Sequence, residues 1–139
     1  MSIVDRAAPA STPSVWIGRI LSGLLIAFLV FDGTIKLVPL QVVTDTMIEL
    51  GYSGSVDQAR LLGVLTLLCT ILYAIPRTSI LGAILLTGYL GGAMATHLRI
   101  GNPLFTHLLF GLYLGMMAWG GLYLRDARLR ALIPFRSPD

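Results

Sequence analysis

The chain has 139 residues, of which 55% are hydrophobic and 12% charged, about half the charged share of an average soluble domain. A soluble domain of this length needs a charged exterior around its core, and so low a charge content cannot supply one, which excludes a water-soluble fold. The net charge of +3 comes from basic residues spread between long apolar runs without interleaved aromatics, a pattern that argues against nucleic acid and for a lipid bilayer as partner.

Residues 1–14 read as a flexible segment ahead of the first apolar run. A bilayer core of about 30 Å takes about 20 apolar residues in a helix, and four segments reach that length: 15–37, 57–75, 80–98 and 104–124. The first is too long for the apolar part of a signal peptide. No small-x-small cleavage pattern separates that part from Asp32 and Lys36, so it is expected to be a retained span.

After the first span, Leu40, Val43, Met47 and Leu50 recur at helical spacing while Asp45 and Glu49 fall elsewhere, and Gly51 ends the pattern. This predicts a short amphipathic helix on the membrane surface, serving as a connector or, alternatively, as a lid over the bundle. Ser55-Val56-Asp57-Gln58 is a capping-box pattern at the start of the second span. Pro76-Arg77 and Gly101-Asn102-Pro103 punctuate the remaining spans, and such short connections force antiparallel neighbours. The expected fold is all-α, an integral-membrane up-down-up-down four-helix bundle over 15–124, followed by a basic C-terminal tail at 125–139.

Orientation follows from the basic residues. Arg6, Arg19, Arg77, Arg125, Arg128, Arg130 and Arg136 fall on one side of such a bundle, and Lys36, Arg60 and Arg99 on the other. The larger group belongs in the cytoplasm, so both termini are expected there.

No Walker loop, dinucleotide glycine fingerprint or nucleophile elbow is present, and Cys69, the single cysteine, has no partner for dithiol chemistry. Ionisable residues in apolar segments remain. Asp32 and Lys36, four residues apart, share a helix face and can pair near the outer end of the first span; the pair either neutralises that end or faces the bundle as a functional group. His97, Arg99 and His107 cluster at the same end, around the turn between the third and fourth spans. Asp32, His97 and His107 are therefore the candidate proton-handling, catalytic residues. Lys36, Arg99, Tyr89, Tyr113 and Trp119 are candidate ligand contacts, although aromatic residues at such places also serve as packing or interface anchors. The histidines have no diagnostic haem or zinc spacing, so no metal site is expected. Gly88-x-x-x-Gly92 and Gly111-x-x-x-Gly115 allow close helix approach, within the bundle or in a homo-oligomer.

Several of these stretches carry a resemblance. Phe31-Asp32-Gly33 with Lys36-Leu37, Glu49-Leu50-Gly51-Tyr52, and above all Ala95-Thr96-His97-Leu98-Arg99 leading into Gly101-Asn102-Pro103-Leu104-Phe105 come first. His107, Tyr113-Leu114-Gly115, Trp119-Gly120-Gly121-Leu122 and Leu124-Arg125-Asp126 follow. Together they resemble the DoxX-like family of small bacterial four-helix membrane proteins. That resemblance implies an inner-membrane location and a link to quinone-associated redox processes, as a binder of a quinone-like or lipid-like molecule or as an accessory subunit of a membrane oxidoreductase. A weaker resemblance to sterol isomerase-like four-helix membrane proteins implies the alternative, acid-base catalysis on a lipophilic substrate at the outer end of the bundle. There Asp32 or a histidine would move the proton, and Lys36 or Arg99 would stabilise negative charge. A transporter ranks third, since four helices are few for alternating access.

Overall fold

The computed structural model describes residues 12–38 and 40–132. The predicted N-terminal segment up to residue 11, with Arg6, and the end of the predicted tail, 133–139, with Arg136, lie outside the described residues. Within them, α1 spans Thr12–Leu37, α2 Gln41–Glu49, α3 Val56–Ala74 and α4 Ser79–Arg99; a π-helical turn at Leu104–Leu108 leads into α5, Phe110–Arg125, and α6 covers Ala127–Leu132. Four stretches are long and apolar enough to cross a membrane: α1, α3, α4 and Leu104–Arg125.

The four long helices form a ring in which α1 and α4 each pack on both α3 and α5. Neighbours run antiparallel, and small residues set how closely they approach. A Cβ on Gly63 would stand 2.7 Å from the carbonyl oxygen of Gly33, and one on Gly18 would stand 2.7 Å from that of Gly121. Larger residues there would push the backbones apart. The first contact marks the end of the bundle that carries α2, here the α2 end; the second marks the terminal end, where α1 begins and α5 finishes. Leu25, Leu29, Tyr73, Leu86, Leu114 and Leu122 fill the interior. Outward, Ile20, Leu24, Phe31, Leu61, Leu68, Ile84 and Met116 are exposed on all four helices, an apolar exterior that belongs against lipid.

In the terminal half and at the helix ends, polar groups serve as caps and as a cross-link between helices. Ser55 caps α3 by accepting the Gln58 N–H at 3.2 Å. The reciprocal half of the expected capping box is replaced, because Gln58 Oε1 instead accepts from the backbone N–H and hydroxyl of Ser53. At the other end of α3, Thr78 and Ser79 donate their hydroxyls to the carbonyls of Leu72 and Tyr73, both at 2.7 Å, covering acceptors that a helix leaves unsatisfied. A donor chain crosses the terminal half: Arg125 Nε to Ser22 Oγ (3.1 Å), Ser22 to Tyr73 Oη (2.8 Å), and Tyr73 to the Ala118 carbonyl (2.8 Å). It ties α1, α3 and α5 together.

Two details add to the sequence reading. The fourth span opens as a π turn, with the Leu109 N–H reaching back to the Leu104 carbonyl; Pro103 starts it with no N–H of its own, and the wider turn delays α-helix to Phe110. The predicted basic tail begins with structure. Asp126 Oδ1 accepts from the backbone N–H groups of Arg128 and Leu129, and α6 seats Leu129 in the core.

Candidate functional site

A cavity of about 600 Å³ lies at the α2 end, within the range of small-molecule sites. Its floor comes from α1 and α4. On α4 the contributing positions, Gly88, Tyr89, Gly92, Ala93, Thr96 and His97, recur every three to four residues and so form one stripe of the helix. From α1 come Asp32, Ile35 and Lys36, and Leu62 of α3 joins them.

The opposite wall is α2. Val43, Met47 and Leu50, the apolar stripe that the sequence places on one face, turn inward and line the cavity, joined by Val42, Thr46 and Tyr52. The helix therefore encloses space as well as connecting spans. Its end is built by a Schellman arrangement: Tyr52 N–H reaches the Met47 carbonyl at 2.9 Å and Gly51 N–H the Ile48 carbonyl at 2.9 Å, with Gly51 at φ +86°. Arg99 then donates from Nη2 to the Leu50 carbonyl at 2.8 Å. This side chain is a strap that fastens the end of α2 to the end of α4, and it is not among the cavity-lining residues.

The charged centre is Lys36. Its Nζ stands 2.6 Å from Asp32 Oδ2 and 3.1 Å from the hydroxyl of Tyr89. The i,i+4 pairing expected on α1 is present, and both side chains are half-buried. Tyr89, 53 positions away in the chain, closes the group from α4. Because the Tyr89 oxygen accepts from Lys36, its own proton remains available to a ligand.

His97 lines the same cavity. A second Schellman turn ends α4, with Asn102 N–H on the His97 carbonyl and Gly101 at φ +74°. This folds Asn102 back so that its side-chain nitrogen lies 2.7 Å from His97 Nδ1. An amide donor on Nδ1 puts the proton of the neutral ring on Nε2. His107 follows in the π turn, its ring centroid 5.7 Å from that of His97; it is exposed, bonds Thr106 through Nδ1, and is not among the cavity-lining residues.

Two further candidates also lie away from the cavity. Trp119 donates its indole N–H to Thr87 Oγ1 at 2.8 Å, joining α5 to α4, and Tyr113 is exposed on α5. These placements fit the packing and interface reading open to aromatic residues at such positions. Gly88 and Gly92, read as helix-packing glycines, have no heavy atom within 4 Å of a would-be Cβ and leave room for the cavity; Gly111, by contrast, packs beneath Met94. Among the described residues, no group of three His, Cys, Asp or Glu side chains is arranged to hold a metal ion.

The site thus offers one carboxylate, one ammonium, one phenol and one imidazole in apolar walls. Three of them, Asp32, Lys36 and His97, are the ionisable residues that the sequence marks by their cost in lipid, and Tyr89 is the aromatic candidate that the fold places beside them. The sequence offers α2 as a connector or a lid without saying what it covers, and the glycine floor was missed, although the stripe from Gly88 to His97 was there to be read. No curated protein and no solved structure gives a significant match to the chain. Residues 20–121, which include α3, α4, most of the first and fourth spans and the whole α2-end cavity, match the DoxX-like family, and the chain belongs to that family.

Proposed function

We propose that this membrane protein binds a lipophilic small molecule with an oxygen-bearing head, quinone-like or lipid-like, in the α2-end cavity. The observation that carries the reading is Lys36, held by Asp32 and Tyr89 at the floor of a cavity of about 600 Å³ with largely aliphatic walls. A desolvated ammonium, a phenol proton and an imidazole N–H are three donors for a ligand carbonyl or carboxyl group, and they gain strength where water is excluded. Val43, Met47, Leu50 and Leu62 accept the apolar part. In its redox setting the protein acts as a quinone-binding accessory to a membrane oxidoreductase of the bacterial inner membrane.

Mass spectrometry of the purified protein for co-extracted small molecules, followed by titration with a short-tailed benzoquinone and with a long-chain fatty acid, tests this. We expect one molecule bound per chain, with occupancy lost in Lys36→Met and in Gly92→Leu, which fills the cavity without touching a charge. Unchanged occupancy in both folded variants overturns the proposal. The presence of a carboxylate and an imidazole on one cavity supports a second reading, acid-base catalysis on the bound molecule. Conversion of the ligand by wild type but not by Asp32→Asn distinguishes that reading from binding alone.

A further inference from the structure

A second cavity, of about 330 Å³, lies at the terminal end between the α3–α4 turn and the α5–α6 junction, lined by Pro76, Ser79, Arg125, Asp126, Ala127 and Arg128. Arg125 is fixed there. Its Nε donates to Ser22 Oγ at 3.1 Å and its guanidinium lies 5.6 Å from the ring centroid of Tyr73, two buried partners. The ion pairs among the described residues are Lys36 with Asp32 and Arg128 with Asp126, so no carboxylate among the described residues pairs with Arg125. Asp126, the one acid in the lining, is committed to the start of α6 through the N–H groups of Arg128 and Leu129, with Arg128 Nε at 3.9 Å.

A half-buried guanidinium without a counter-charge is costly. A phosphate group answers it well, since its oxygens match the forked donors of arginine. Arg77, beside Pro76 in the turn, adds charge of the same sign, and Ile75 and Leu81 are exposed on either side of that turn, giving acyl chains apolar surface to follow. We propose that this cavity binds a phosphate group of the anionic phospholipid headgroup type, with Arg125 as its fixed donor and Arg128 as its second donor.

Thermal unfolding of the full chain in neutral detergent, titrated with phosphatidylglycerol, phosphatidylcholine of the same acyl chains, or inorganic phosphate, tests the site. Phosphatidylglycerol is expected to stabilise wild type at concentrations where phosphatidylcholine does not. Arg128→Gln, an exposed position that leaves folding intact, should weaken the effect about tenfold, the worth of one charge-assisted hydrogen bond; Arg125→Gln should abolish it. Stabilisation by phosphatidylglycerol alone assigns the source to lipid headgroups. Stabilisation by inorganic phosphate as well, lost in the same variants, supports the phosphate site and assigns it to free anion too. Equal stabilisation by the two lipids, or an Arg128→Gln protein that responds as wild type does, overturns the proposal.

Discussion

At the scale of single residues, Lys36 depends on two oxygens of different kinds, a carboxylate on its own helix and a phenol on another. Lys36→Met removes the cation and leaves Asp32 half-buried with no counter-charge. The expected loss is about 1–3 kcal/mol, between the surface and buried limits for a broken pair. Asp32→Asn with Lys36→Met removes both charges and should recover most of that loss, because a desolvated pair often breaks even with neutral replacements. Detergent-solution thermal unfolding of wild type, Lys36→Met and the double variant checks the order; a double variant no more stable than the single one contradicts it. The pairing was legible in the sequence because four residues make one helical turn. Tyr89 as third member was not, since helix rotation and a contact between α1 and α4 fix it, and neither follows from spacing. The Arg99 bond was illegible for a related reason: a cation at a helix end suits a ligand or a carbonyl equally well, and the carbonyl that it takes belongs to Leu50, 49 positions away.

At the scale of elements, α2 is the part of the site with the fewest attachments. It packs on α3, lays its apolar stripe on the cavity and is fastened at its end by Arg99. An element held by so few contacts opens at low free energy. Arg99→Ala should cost α2 one hydrogen bond, raising its local opening by about 2- to 10-fold while the cores of α3, α4 and α5 stay as protected as before. Amide hydrogen exchange of residues 41–52 against 63–72 measures both at once, and equal protection of α2 in wild type and variant would show that the strap bears no load. The amphipathic period and the terminating Gly51 made this helix legible from sequence. What it covers was not, because periodicity identifies an apolar face without identifying the surface opposite. The π turn at Leu104–Leu108 was likewise illegible, since Pro103 marks a start but does not specify which carbonyl the following N–H groups choose.

At the scale of the whole molecule, the spans were the most legible feature, because a bilayer imposes a length and hydropathy that leave few alternatives. The bundle then adds what sequence could only assume, that α1 begins beside the end of α5 at the Gly18–Gly121 contact. The two ends of the described chain therefore lie on one side of the membrane. Charge decides which side. Among the described residues Arg19, Arg77, Arg125, Arg128 and Arg130 stand at the terminal end, against Lys36, Arg60 and Arg99 at the α2 end, where the acids Asp32, Asp45, Glu49 and Asp57 also lie. Basic residues in short segments near span ends are retained in the cytoplasm, while acids weigh little, so the terminal end is expected inside and the α2-end cavity near the outer face. Fusions of a fluorescent protein to either terminus should glow, and alkaline phosphatase at the same places should be inactive. Charge itself can then be tested as the cause. Changing Arg77, Arg128 and Arg130 to Gln leaves the two ends nearly balanced in Lys and Arg, and the fusions should then report a mixture of orientations. A variant that still inserts with both termini wholly inside would mean that the order of helix insertion, not the arginines, sets the topology.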